Sequence, residues 1–415
     1  MKKEYLEYFK EVPKTGVIYV LERAIKAGYS PSSSEWSNLG QGAPETGPLN
    51  GKANDINLSI DQYNREYGPV NGSKSLRKQV AEYYNHLYRK NHSSKYTEDN
   101  VCIAGGGRLA LSRVVTALGN INLGHFIPDY TAYEELLGMF KTFVPIPILL
   151  NSEKKYQLSI KDLENEIVGK GLASLLVSNP CNPTGQVIQG SMLSKWVKTA
   201  NKFDCLMIFD EFYSHFIYEN KQKYISAAKY IEDVNKDPVI LINGLSKNWR
   251  SPGFRIGWIV GPKDIIEKVS SVGSFLDGGP MHPIQEEAIK IIKPEKTKKD
   301  TALIQEVFNE KRKLMLSKLK NLNFVIENDP SSTFYVWANL KKLPEPLNNA
   351  LNFFEECLKE KVITVPGIFF DVNPGKRRLL KHSRYLNYVR LSFGPSLESV
   401  TNGLNNIEKV IKKYS

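Results

Sequence analysis

Cysteine is scarce in this 415-residue chain. The four present, Cys102, Cys181, Cys205 and Cys357, form no CxxC pair and have no histidine at metal-ligand spacing. A disulfide framework and a cysteine-based metal centre are thereby excluded as organising principles, and a reducing compartment is the economical expectation. Long apolar runs are missing too: the strongest, residues 143–150, is short and interrupted by two prolines, so nothing is expected to span a membrane. The opening MKKEYLEYFKEVPK is charged and aromatic and lacks the apolar centre of a signal peptide, which points to a cytoplasmic protein. No internal repeat and no low-complexity linker breaks the chain.

Acidic residues are the minority, 44 against 56 Lys and Arg, for a formal charge of +12. The basic residues are spread along the chain. The densest stretch, Lys376, Arg377 and Arg378 followed by Lys381 and Arg384, sits between apolar segments and reads as a solvated loop. Attraction of carboxylate and phosphate ligands is the other reading of the charge. No helix-turn-helix fits, so no nucleic-acid partner is expected. With 41% apolar and 24% charged residues, the composition is that of an ordinary globular protein with a large core, and the length fits two lobes.

Helical periodicity is clearest over Ser73–Arg89, Leu109–Leu118, Met192–Phe203, Leu303–Leu319, Leu351–Lys361 and Leu397–Lys412. Between the earlier ones lie β-rich runs at Phe126–Ile127, Ser174–Ser178, Leu206–Phe209, Val239–Ile242 and Ile256–Val260. This alternation predicts an α/β fold with a mostly parallel sheet covered on both faces. The last third, with the strands Phe334–Trp337 and Tyr388–Ser392, reads as a smaller α+β lobe.

Ligands of open α/β sheets collect beyond the carboxyl ends of strands, and the unusual sequences fall there. Leu206–Phe209 runs into Asp210, Ser174–Ser178 into NPCNPTG (179–185), and Val239–Ile242 into NGLSK (243–247). Taken alone, the Asp is as well read as a helix cap and the lysine as an exposed side chain. Together with the glycines of GGGR (105–108) before a helix, they offer an amine, a carboxylate and an anion-binding helix start.

The ordered set of motifs resembles the class I/II aminotransferase family of fold-type-I pyridoxal 5′-phosphate (PLP) enzymes. NPCNPTG (179–185) is similar to that family's NPxNPTG, DEFY (210–213) to its DExY, and SK (246–247) with PGFRIG (252–257) to its SK…GxRxG. YVRLSFG (388–394) resembles its terminal RLSF segment, and YGPVNG (67–72) with Leu76-Arg77 its YGxxxGxxxLR. The resemblance covers nearly the whole chain. It implies a large PLP-binding domain over residues 50–295 and a small domain from both chain ends, 1–49 and 296–415.

The resemblance also implies roles. Lys247 is similar to the lysine that holds PLP as a Schiff base and then moves the α-proton. Asp210 matches the partner of the pyridinium nitrogen, Asn182 and Tyr213 the hydrogen-bond partners of the ring oxygen, and Tyr130 the aromatic that stacks on the ring. Gly107 and Arg108 are the candidate amide donors to the phosphate, and Arg255 matches its arginine. Tyr67 resembles the tyrosine that reaches the phosphate of a neighbouring subunit, which implies a homodimer. Arg390 matches the arginine for the substrate's α-carboxylate, and Gly42 the glycine lining the same subsite. Residues 15–19 resemble the N-terminal segment that folds over the substrate, with a plain surface segment as the alternative. No metal is expected.

Three departures stand out. Gly244 replaces the Ser or Thr found three positions before the lysine, leaving Ser246 or Asn243 as candidate substitutes. PSSTFY (330–335) lacks the usual glycine before its aromatic. In SFLDGGPMHPIQ (274–285), Asp277 and His282 are open to two readings: a polar reader of the substrate end or an extra acid/base, and a Gly-rich dimer-contact loop. The expected reaction moves an amino group between an α-amino acid and a 2-oxo acid. A lyase, cyclase or oxidase would use the same carbanion. A non-catalytic ligand sensor would need a DNA-binding domain, and only 66 residues precede Tyr67.

Overall fold

The computed structural model describes residues 14, 16–49, 58, 60–139, 142–218 and 223–415. Its strands, in chain order, begin with β1 (Ser37–Asn38), β2 (Val101–Ala104), β3 (Asn122–Ile127) and β4 (Val144–Leu149). Next come β5 (Ser174–Ser178), β6 (Leu206–Asp210), β7 (Val239–Gly244) and β8 (Gly257–Val260), then β9 (Tyr335–Asn339), β10 (Val362–Ile363), β11 (Val365–Pro366) and β12 (Tyr388–Ser392).

Strands β2 to β8 build a seven-stranded sheet in the order β2-β8-β7-β6-β5-β3-β4. It is parallel apart from β8, which runs antiparallel to both β2 and β7. The central strands are apolar throughout because both faces are buried. Successive side chains still alternate: Leu176, Ile208 and Ile240 pack into one core, and Leu175, Val177, Met207, Phe209 and Leu241 into the other. The register aligns Ser178 with Asp210, Asp210 with Ile242, and Gly244 with Gly257. One edge of the sheet therefore gathers the polar ends of β5, β6 and β7.

Five of the six expected helices lie within two residues of the expected ends: Lys74–Tyr88, Gly107–Ala117, Gly190–Phe203, Ala350–Lys359 and Leu397–Lys412. The sixth, Leu303–Leu319, is the middle of one 28-residue helix, Pro294–Asn321. Its first turns are rich in lysine and show no apolar stripe, and Pro294 starts it where a missing N–H costs nothing.

Strands β11, β12 and β9 form a small antiparallel sheet in which Arg390 faces Trp337 across the ladder. The chain's beginning joins it. β1 pairs in parallel with β10, Ser392 N donates to Leu39 O at 2.6 Å, and Glu45 N to Gly394 O at 2.8 Å. This carries Gly40–Gly42 alongside Arg390. The basic stretch is not the freely solvated loop that its composition suggests. Lys376 pairs with Glu134 and Glu135, and Arg378 with Asp371 at 2.6 Å, which pins it to helix Ala132–Met139. Among the described residues, no helix is long and apolar enough to cross a membrane.

Candidate active site

Lys247, Asp210, Asn182, Tyr213, Tyr130, Gly107, Arg108, Ser246, Arg255, Arg390 and Gly42 line one cavity of about 410 Å³ at the polar edge of the seven-stranded sheet. β7 ends at Gly244, and a short helix, Leu245–Asn248, turns Lys247 into the cavity floor. Its Nζ donates to Gly42 O at 2.5 Å, so the amine rests against the segment brought in from the chain's beginning. Burial drives the Lys247 amine down to about 7, and the nearby charges of Arg390, Arg255 and Arg108 push the same way. Protonated amine is not a nucleophile. Reductive trapping of a small aldehyde on Lys247 of the ligand-free protein should therefore rise through pH 7 and level off. A rate that climbs only above pH 9 would show an unperturbed lysine.

Asp210 closes β6 and is buried. Desolvation raises its carboxyl to about 6, held there against further increase by Tyr133, whose hydroxyl donates to Oδ2 at 2.7 Å, and by the amide of Phe212 and the charge of Lys247. At neutral pH it is mainly an anion aimed at the cavity. Nothing in the local sequence marked Tyr133 as its anchor.

Opposite lies an anion cradle. Helix Gly107–Ala117 begins at the cavity, preceded by Gly106 in the left-handed region at φ 95°. A Cβ on Gly106 would stand 2.3 Å from Arg255 Nη2, and one on Gly107 would stand 2.4 Å from the Phe212 ring. Only glycine lets the helix start, the guanidinium and the ring converge. Gly244 has a similar cause: a Cβ there would lie 2.5 Å from Ile256 O and 2.7 Å from Gly257 Cα. No side chain fits at that position. Of the two proposed substitutes, Ser246 lines the cavity, whereas Asn243 is turned away to its own loop, its Oδ1 accepting from Gly244 N at 2.7 Å and Asn248 Nδ2 at 2.9 Å.

Arg390, on β12, is buried between aromatic faces, its guanidinium carbon 4.1 Å from the Tyr335 centroid and 5.0 Å from that of Phe370. Nη1 donates to Asn182 Oδ1 at 3.0 Å and Nη2 to Gly40 O at 2.9 Å, while its buried Nε has no protein partner among the described residues. Tyr335 ends the segment PSSTFY, to which the sequence alone assigns no role. Besides carrying Arg390, its hydroxyl shares a 3.0 Å hydrogen bond with that of Tyr213. It follows Thr333, which takes a left-handed φ of 63°. Such a backbone costs roughly 1–3 kcal/mol for a β-branched residue.

Tyr67 is fully exposed and lies outside the cavity of its own chain. Asp277 and His282 do not line that cavity of their own chain either. Asp277 is the buried partner of Arg113, and His282 lies edge-on to Tyr63, ring centroids 4.8 Å apart. They flank a Gly-rich turn packed on residues 63–70. Val17 from helix Gly16–Lys26 also borders the cavity, while Thr15 lies outside the described residues.

The family described as aminotransferase class I and II matches residues 34–406. An aspartate aminotransferase of Sulfolobus acidocaldarius is 26% identical over 384 residues, covering 91% of this chain and 90% of the relative. Aromatic-amino-acid aminotransferase 2 of Thermococcus litoralis is 25% identical, with 86% of each chain covered. The structure of Thermus thermophilus aspartate aminotransferase with maleate shares the fold at a TM-score of 0.78, with 21% identity and 99% of both chains covered.

Proposed function

The chain belongs to the class I and II aminotransferase family, whose members use PLP, and from that premise we propose that its cavity moves the amino group of an α-amino acid to a 2-oxo acid with Lys247 as the proton-moving base. The observation that carries this reading is the convergence of Lys247, Asp210, Arg255 and Arg390 on one cavity. The residues present fit PLP. The cradle that Gly106 and Gly107 keep open beside Arg255 suits a phosphate, the Lys247 amine suits an aldehyde, and the buried Asp210 carboxylate suits a protonated ring nitrogen.

When bound, PLP supplies an aldehyde that accepts an amine and a ring that draws negative charge from the substrate's Cα. The amides of Gly107 and Arg108, with Ser246 and Arg255, hold the phosphate. Tyr130 would cover the ring, and Asn182 and Tyr213 would hold its oxygen. Asp210 keeps a proton on the ring nitrogen. Arg390, already oriented by Asn182 and Gly40, offers its free Nε edge to the α-carboxylate, and Gly42 lines that subsite. Lys247, whose charge burial disfavours, takes the proton from Cα and returns it on the product side.

The Arg108 guanidinium is left over from the phosphate. Its Nη2 stands 3.3 Å from the Tyr130 hydroxyl at the cavity wall, which favours a substrate with a second carboxylate, as the aspartate named for several relatives has. The chain is read as a homodimer in which Tyr67 reaches the partner's cavity. Exposed Tyr63, Phe275 and Met281 around it support this. The pairing of β1 with β10 supports a small domain built from both ends, 1–49 and 296–415, against a large one over 50–295. Four free thiols support a cytoplasmic location.

The PLP-loaded protein given aspartate without an acceptor should form one equivalent of 2-oxo acid per active site and release no ammonia. Ammonia, or a product that keeps its nitrogen, would replace amino transfer with elimination, cyclisation or oxidation.

A further inference from the structure

Arg113 is a buried arginine outside the cavity, on the same helix, Gly107–Ala117, whose first residues border it. Its side chain is fully buried, and a buried guanidinium demands partners for its fork of N–H groups. Nε donates to Asp277 Oδ2 at 2.9 Å and Nη2 to Oδ1 of the same carboxylate. Nη1 donates to the carbonyls of Val70 at 3.1 Å and Ile103 at 3.3 Å. One side chain thus joins the cavity-bordering helix, the end of β2, the segment 67–72 and the turn after helix Lys263–Leu276.

The surroundings are shaped to this junction. A Cβ on Gly273 would stand 2.4 Å from Arg113 Cζ, so the arginine requires glycine there. Gly279, at φ 109°, brings the turn against Val70, whose Cα would be 3.1 Å from an added Cβ. Gly68 receives the His282 imidazole, 3.3 Å from the place of its Cβ, and Ser73 N donates to Gln285 Oε1 at 2.8 Å. Residues 68–73 are therefore clamped from two sides, and Tyr67 projects from the clamped end, fully exposed.

We propose that Arg113 and Asp277 are positioning residues, whose buried pair fixes Val70, and with it Tyr67, so that Tyr67 meets the phosphate of a cofactor bound in a second copy of the chain. This rests on the homodimer reading given above. A forked pair suits the task because it constrains distance and direction together, which an apolar contact of similar size does not. A hydrogen bond to phosphate is sensitive to displacements of about 1 Å, and the Val70 carbonyl is three residues along the chain from Tyr67. The stretch 274–285 then serves as a scaffold for the site of the second copy.

The test is a double-mutant cycle read by equilibrium binding of PLP to the apoprotein, with sedimentation as a check on association. Tyr67→Phe is expected to weaken PLP binding about tenfold, the scale of one hydrogen bond to a charged group. Asp277→Asn keeps the shape, removes the charge, and is expected to weaken binding to a similar degree while the protein stays dimeric. The double variant should be little weaker than either single one. If Asp277→Asn does not fold, Arg113→Lys, which keeps the charge and loses the fork, takes its place in the cycle. Effects that multiply overturn the positioning role, as does an Asp277→Asn protein with a lowered melting temperature and unchanged PLP affinity, or one that becomes monomeric. A Tyr67→Phe protein that binds PLP normally overturns the cross-subunit contact itself, and the two failures are thereby told apart.

Discussion

Replacing Lys247 by alanine is expected to lower turnover by at least about 10³-fold, because one amine serves both as the covalent anchor and as the base, and a positioned base alone contributes roughly 10²–10⁴-fold. The fold should be untouched. Lys247 sits on a short helix at the cavity floor, and its amine donates to Gly42 O. Three guanidiniums disfavour its charge, so losing it removes a repulsion from the ligand-free protein. The melting temperature of the apoprotein is expected to hold or rise, measured by circular dichroism. A small primary amine added to the alanine variant should restore part of the rate, since the space left is that of the lost side chain. A merely structural lysine would show no such rescue. Normal turnover of the variant would remove Lys247 from the chemistry.

The sequence made this residue legible for a physical reason. β5, β6 and β7 are buried on both faces and read as uninterrupted apolar runs, so the polar residues that end them are conspicuous. The glycines at 105–107 marked a helix start for a similar reason: only glycine allows Arg255 and Phe212 so near. Edges were harder. β4 carries Pro145 and Pro147 and looked like a broken run, yet it is the outermost strand of its sheet, where a missing N–H is tolerated. β2 is only four residues long. Tyr133 and Tyr335 escaped notice because their importance lies in partners 77 and 122 residues away, Asp210 and Tyr213. Asp277 stays open between two readings in the sequence, because its Gly-rich neighbourhood suits a ligand loop and a contact loop alike. Its partner Arg113 is 164 residues distant and lies in a helix with no local sign of a buried charge.

Tyr133 makes Asp210→Asn an informative substitution. Asparagine has the same shape and can still accept the Tyr133 hydroxyl through its amide oxygen, so the change removes the charge and little else. Without an anion, nothing keeps a proton on the ring nitrogen, and the ring loses its pull on Cα. Removal of one preorganised electrostatic contact of this kind costs roughly 10²–10³-fold in kcat, and that loss is expected here with little change in KM, since Arg390 still holds the carboxylate. Stability should move the other way. Asp210 titrates near 3.8 when unfolded and at about 6 in the fold, so the folded state holds the extra proton between those values. The wild-type apoprotein therefore loses stability as pH rises from about 4 to about 6, by at most about 3 kcal/mol, and the asparagine variant does not. Denaturation of the two apoproteins should coincide below pH 4, diverge through pH 5, and leave the variant more stable at pH 7. A variant that is both less stable at pH 7 and equally active would mean that the carboxylate serves the fold, and that the charge the cavity brings to the ring comes from elsewhere.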